Sequence, residues 1–164
     1  MIAITNILVP TDFSPPSAQA LEYGRQFARQ FGARLHLLHT VETVLIPGGA
    51  EVPATAVQQV EESLGAIARR QMDAAVTADD RATLNVVTTV RSAHSASADI
   101  LEYARSGPID LIIMGTHGRG VLHHLLMGSV AERVVRSAPC PVLTVHAGER
   151  DFLRPDALTA VQSA

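Results

Sequence analysis

The sequence contains no lysine: all 13 of its basic side chains are arginine. A P-loop needs a Gly-Lys-Ser/Thr step whose ammonium group reaches the terminal phosphates, so that way of holding a nucleotide is excluded. Lysine Schiff bases and lysine general bases go with it. Cysteine is nearly absent, and Cys140 standing alone excludes an intramolecular disulfide and a cysteine metal cluster. There is no broad basic field either. The formal charge is -3 and the pI about 6.1, which argues against sequence-independent binding to nucleic acid or anionic lipid. No apolar run approaches the roughly 18 residues that span a bilayer. The opening residues, Met-Ile-Ala-Ile-Thr-Asn, lack the basic-then-apolar layout of a signal peptide, so a cytoplasmic protein without a membrane partner is expected.

What is present is the composition of one globular domain: 164 residues, 47% apolar and 18% charged. Short apolar runs alternate with longer segments of helical period. Ile2 to Pro10 reads as a first strand. Ser14 then offers an N-cap with Pro15 at the first helical position. Ala20, Leu21, Gly24, Phe27, Ala28 and Phe31 form a buried stripe, and Gly32 ends that helix. Arg34 to Val41 is a second strand, and residues 42–55, with Pro47-Gly48-Gly49, a loop.

A second helix is expected over about Ala56 to Ala78, with Val57, Val60, Leu64, Ile67, Ala68, Met72 and Ala75 facing the core. Thr83 to Val90 reads as a third strand, and a short helix around Ser97 to Arg105 buries Ile100, Leu101 and Ala104. Asp110 to Met114 is a fourth strand, a helix follows from about Ser129 to Ser137, and Pro141 to Val145 is a fifth strand. Strand–helix alternation means βαβ units and a parallel sheet covered on both faces. In such sheets ligands sit at the carboxyl ends of strands, where the winding reverses.

The chemistry concentrates between Met114 and Val130. Gly115, Gly118 and Gly128-Ser129 stand in the spacing G-x2-G-x9-G-S. A glycine at a strand end lets a ligand approach the backbone. A Gly-Ser step opening a helix collects unpaired N–H groups, the positive end of the dipole and a hydroxyl, which together suit phosphate. Arg119 supplies a cation. The Gly-x-Gly-x-x-Gly of dinucleotide folds does not occur.

Taken together, Ile7-Leu8-Val9-Pro10-Thr11-Asp12-Phe13-Ser14, Leu37-Leu38-His39, Asp110-Leu-Ile-Ile-Met-Gly-Thr-His-Gly-Arg and Gly128-Ser129-Val130-Ala131-Glu132-Arg133-Val134 resemble the universal stress protein family, in its ATP-binding branch. The resemblance implies a three-layer, doubly wound α/β fold of the Rossmann-like, adenine nucleotide alpha hydrolase-like kind. Its five parallel strands would run in the order 3-2-1-4-5. The domain would cover residues 1–147, leaving 148–164 as a tail. The resemblance further implies ATP, ADP or AMP as ligand, with Mg2+ or Mn2+ held by phosphate and water and not by protein ligands. A homodimer would form through the edge strand Pro141 to Val145. Carried over by position, Pro10, Thr11 and Asp12 would contact adenine and ribose. The Thr40 backbone would meet the adenine edge, where a valine is usual. Met114 and Gly115 would lie near the ribose; His117, Gly118, Arg119, Gly128, Ser129, Val130 and Ala131 would serve the phosphates.

The implied function is a nucleotide-dependent regulatory protein of the stress response with at most slow hydrolysis. An ATP-hydrolysing or phosphotransfer enzyme and a nucleotide-free dimeric scaffold are the alternatives. No catalytic residue is assigned, because no carboxylate lies between Asp110 and Glu132 to orient a nucleophile. From the residues alone Asp12 is a ribose ligand or a helix cap, and both stay open. His117, His123 and His124 match no common zinc spacing. Cys140 is expected to be a buried, inert thiol, and Glu61-Glu62 with Arg69-Arg70 a solvated face.

Overall fold

The computed structural model describes residues 2–43, 53–117, 127–146 and 153. These residues form β1 (Asn6–Pro10), α1 (Pro15–Phe31), β2 (Arg34–Glu42), α2 (Ala54–Ala75), α3 (Ala78–Thr83), β3 (Val86–Ala93), α4 (Ala96–Ser106), β4 (Leu111–Gly115), α5 (Ser129–Ser137) and β5 (Val142–Val145). The sheet is five-stranded in the order β3-β2-β1-β4-β5, and every pairing is parallel.

Alternation along the strands builds two cores, one on each face. Ile7, Val9, Leu35, Leu37, Leu111 and Ile113 point toward α1 and α2, where Ala20, Leu21, Tyr23, Ala28 and Met72 meet them. Leu8, Leu38, Ile112 and Met114 point the other way, against Ile100 and Ala104 of α4 and Ala131 and Val134 of α5. Helix α1 crosses close to the sheet because Gly24 lacks a side chain. A Cβ there would sit 2.6 Å from Val9 Cγ2. The helix ends at Gly32, whose φ of 65° is left-handed.

Several expected boundaries and faces differ from the structure. Strand β1 begins at Asn6 and not at Ile2, which is 76% exposed; the first rung of the ladder is the Arg34 N–H donating to the Thr5 carbonyl. Ser14 is the N-cap of α1, but its side chain makes no cap bond. The prolines at 15 and 16 have no N–H to offer, and the Ser14 hydroxyl donates to Asp12 Oδ1 instead. Phe31 lies on the rim of the expected stripe and is 39% exposed.

On α2, Val60, Leu64 and Ile67 do not face the core; they are 53%, 37% and 45% exposed. Ala68 and Met72 are buried as expected, and Val57 and Gly65 are half-buried, so the face turned to the sheet is narrower than the expected stripe. The helix also stops at Ala75, and α3 intervenes before β3, which runs from Val86 to Ala93 and not from Thr83 to Val90. A capping box starts α3: the Thr77 side chain accepts from the Asp80 N–H and the Asp80 carboxylate from the Thr77 N–H.

The same Asp80 ties α3 to α1. Arg25 Nε approaches both Asp80 oxygens at 3.0 and 2.9 Å, and Arg25 Nη2 donates to the Ala75 carbonyl at 2.6 Å. Asp80 is 2% exposed. Burial acts to raise its pKa, but the hydrogen bonds from Thr77 and Arg25 and the charge of Arg25 outweigh it and hold the carboxyl below its ordinary value.

Two outcomes are expected. Gly24→Ala should cost about 1–3 kcal/mol in urea unfolding, because Val9 and Leu35 are packed where the methyl must go. Asp80→Asn should cost about 3 kcal/mol at neutral pH, since it leaves Arg25 without its buried counter-ion. Because the folded pKa lies below the unfolded one, this pair stabilises the protein above about pH 4, and its contribution goes as pH falls through the folded value. The stability gap between the two proteins in urea unfolding should therefore be constant above about pH 4 and shrink as the pH is taken further down.

Candidate functional site

The pairing of β1 with β4 is short. It joins Ile7 to Leu111 and Leu8 to Ile112, and then ends. Beyond that point β1 follows β2 as far as Pro10, and β4 follows β5 as far as Gly115. The chain winds outward in both directions from here, so the carboxyl ends of β1 and β4 open a crevice at the switch point.

Residues 11–14 form its first wall. The Thr11 N–H donates to the Leu38 carbonyl at 2.8 Å, one more rung past the end of β1. The chain then turns sharply. Phe13 has a φ of 63°, a left-handed conformation that costs a non-glycine residue about 1–3 kcal/mol. Its ring repays part of that by packing on His39 at 4.4 Å. The turn is held by Asp12 Oδ1, which accepts from the Ser14 N–H at 3.1 Å and the Ser14 hydroxyl at 2.5 Å. Asp12 thus has a capping role in the turn.

The second wall is the end of β2. Its even-numbered backbone groups face β1, since the Arg34 N–H donates to the Thr5 carbonyl and the Leu38 carbonyl accepts from Thr11. The odd-numbered ones face β3, as in the Leu35 N–H to the Asn85 carbonyl and the Thr43 N–H to the Ala93 carbonyl. Thr40 belongs to the first set, and β1 has already ended opposite Leu38. Its N–H and C=O therefore point over the crevice. The next rung would have joined the Thr40 N–H to the Thr11 carbonyl; instead His39 Nδ1 lies 2.7 Å from that carbonyl and must donate to it.

The third wall comes from β4 and α5. At Gly115 a Cβ would stand 3.0 Å from the Pro16 carbonyl carbon, so glycine is needed there for the start of α1 to dock. Gly128 is the N-cap of α5 with an ordinary φ of -72°. What it supplies is space: a Cβ would lie 3.3 Å from the Thr116 carbonyl oxygen. Its own N–H donates to that carbonyl at 2.8 Å and is spent within the chain. The first helical bond is from the Glu132 N–H to the Gly128 carbonyl, so the N–H groups of Ser129, Val130 and Ala131 are those that a helix start leaves without an intrahelical acceptor.

Of the other expected site residues, Pro10 and Met114 are buried and Ala131 is 3% exposed in the core, so their side chains serve packing. His117 Nδ1 lies 3.0 Å from the Thr116 hydroxyl, and its ring is 5.5 Å from that of His146. Gly118 and Arg119, like His123 and His124, lie outside the described residues. Among the described residues no group of three or more His, Cys, Asp or Glu side chains could hold a metal ion. Cys140 is half-buried, and burial followed by the nearby Asp110 carboxylate raises its pKa, which keeps it a thiol.

The sequence profile of the universal stress protein family matches residues 3–146. The chain belongs to the universal stress protein family. Universal stress protein MJ0531 of Methanocaldococcus jannaschii is 30% identical over 146 residues, covering 88% of this chain and 84% of its own. Universal stress protein UspA from Lactobacillus plantarum has a solved structure that superposes with a TM-score of 0.72 at 27% identity. The match covers 88% of this chain and 99% of that one. A further universal stress protein, solved in complex with cAMP, shares the fold at a TM-score of 0.58 and 22% identity, covering 90% of this chain and all of its own. Among the described residues of this universal stress protein no helix is long and apolar enough to cross a membrane.

Because Gly115 has the Pro16 backbone where a side chain would go, Gly115→Ala should push the start of α1 off β4. A fall in melting temperature of roughly 2–8 °C, read by calorimetry, is expected for a strain of about 1–2 kcal/mol.

Proposed function

We propose that this universal stress protein is an adenine-nucleotide-binding regulatory protein, with ATP as ligand and at most slow turnover. One observation carries the reading: the early parting of β1 and β4 leaves a crevice flanked by an outward-facing donor–acceptor pair at Thr40 and by the start of α5. The Thr40 N–H and C=O match the N1 acceptor and N6 donor of adenine. Asp12 would take the ribose hydroxyls, with Pro10, Thr11, Met114 and Gly115 framing the sugar and base.

The N–H groups of Ser129, Val130 and Ala131, the Ser129 hydroxyl and the dipole of α5 would serve the phosphates. Gly128 contributes room, and His117, Gly118 and Arg119 would complete that end. Mg2+ or Mn2+ would ride on the phosphates. The cAMP complex of a relative is in keeping with an adenine ligand on this fold. The domain is taken as residues 1–147. Strand β5 lies at the edge of the sheet with β4 on one side, which suits a cytoplasmic homodimer formed edge to edge.

Mass spectrometry of the small molecule released on denaturing the purified protein tests the ligand directly, and recovery of no nucleotide together with no ATP-induced rise in melting temperature would favour an empty scaffold. The phosphate end is tested by Gly128→Val with Ser129→Ala. Loss of charged hydrogen bonds there should weaken ATP by about 10- to 100-fold in calorimetric titration while adenosine is unaffected. Equal losses for the two ligands would put the phosphates elsewhere.

A further inference from the structure

The carboxyl ends of β2 and β3 carry a polar network that the strand pairing does not require. Thr40 stands opposite Arg91 in the parallel register, and both point toward α4. Between them lies Asp99, in the first turn of α4, with a side chain only 2% exposed. The Thr40 hydroxyl donates to Asp99 Oδ2 at 2.7 Å, and Arg91 Nε meets Asp99 Oδ1 at 2.8 Å. Arg91 Nη2 continues to Glu102 at 3.1 Å. Two residues further along β2, Glu42 Oε1 accepts from the Ala96 N–H at 2.9 Å, so α4 is docked onto β2 at a second point.

We propose that Asp99 is a positioning residue for base selection, fixing Thr40 so that its main-chain acceptor and donor present themselves to a 6-aminopurine and reject a 6-oxopurine. The inference rests on the nucleotide reading above and goes beyond it, because a backbone pair selects a base only if its direction is fixed. Past Leu38 the ladder to β1 no longer holds β2 on that side. The His39 bond to the Thr11 carbonyl and the register with β3 hold the strand on either side of Thr40, and Asp99 is the anchor that grips the Thr40 side chain itself. An N–H and a C=O held in place bond adenine at N1 and N6. Guanine offers the reverse pattern, a donor at N1 and an acceptor at O6, and would leave both main-chain groups facing their own kind. A residue without a hydroxyl at position 40 could still present its backbone, but would lack the bond that fixes it.

The test is calorimetric titration of the full chain with ATP, GTP and tripolyphosphate, using Thr40→Val, Thr40→Ser and Asp99→Asn. Valine is close to isosteric and leaves the Arg91–Asp99 pair in place, so this variant reads the proposal even if Asp99→Asn does not fold. Thr40→Val should lower ATP affinity about tenfold, the worth of one hydrogen bond to a charged group, and leave GTP and tripolyphosphate unchanged. Thr40→Ser keeps the hydroxyl and should keep the parent's ratio of ATP to GTP; folded Asp99→Asn should narrow that ratio as Thr40→Val does. An unchanged ratio in Thr40→Val, or equal losses for all three ligands, overturns the proposal while the nucleotide reading stands. A parent protein that binds no ATP removes both.

Discussion

The molecule depends on the point at which two central strands stop pairing. β1 and β4 share two rungs, Ile7 with Leu111 and Leu8 with Ile112, and then each follows its outer neighbour. The cause is topological. Crossovers to either side of β1 are right-handed, so the chain leaves the sheet's centre in opposite directions. Backbone groups at those ends lose a strand partner while the side chains beneath them stay buried: Val9, Pro10, Ile113 and Met114 are all core residues. Main-chain polar groups freed from strand pairing thus lie directly beside buried apolar side chains.

The absence of lysine bears on the proposed phosphate end. Phosphate can be held by a mobile ammonium or by N–H groups fixed at a helix start, and this chain has only the second means and arginine. Main-chain donors cost no side-chain entropy to place, but they demand that nothing crowd them. Gly128, with no Cβ to press on the Thr116 carbonyl 3.3 Å away, lets the chain close up where those donors begin. Phe13 shows the complementary cost, a left-handed residue kept in a turn that Asp12 and His39 hold together.

Much of this could be read from residues, and the misses have definite causes. The glycine–serine step at 128–129 fixes where α5 begins, since helix starts are local. The strand order came from family resemblance, because neighbours in a sheet are not neighbours in sequence. On α2, Ala68 and Met72 face the core as the period implies, whereas Val60, Leu64 and Ile67 are exposed, because hydrophobicity alone does not say how wide a face the sheet covers. Helix α3 has a local signal, threonine at 77 and aspartate at 80, but at six residues it is too short to show a helical period. The Thr40–Asp99–Arg91 network had none. It exists only once β2 and β3 are in register and α4 is laid across them.

The clasp between Arg25 and Asp80 bears on how the molecule comes apart. It joins the middle of α1 to a segment 55 residues later in the chain. A six-residue helix between two connections would ordinarily fray on its own, opening and closing many times before the core is disturbed. With its capping carboxylate gripped by α1, α3 can open only by surrendering that grip. Its amide protons should therefore exchange in step with those of α1, joining a peripheral turn to a helix packed on the sheet.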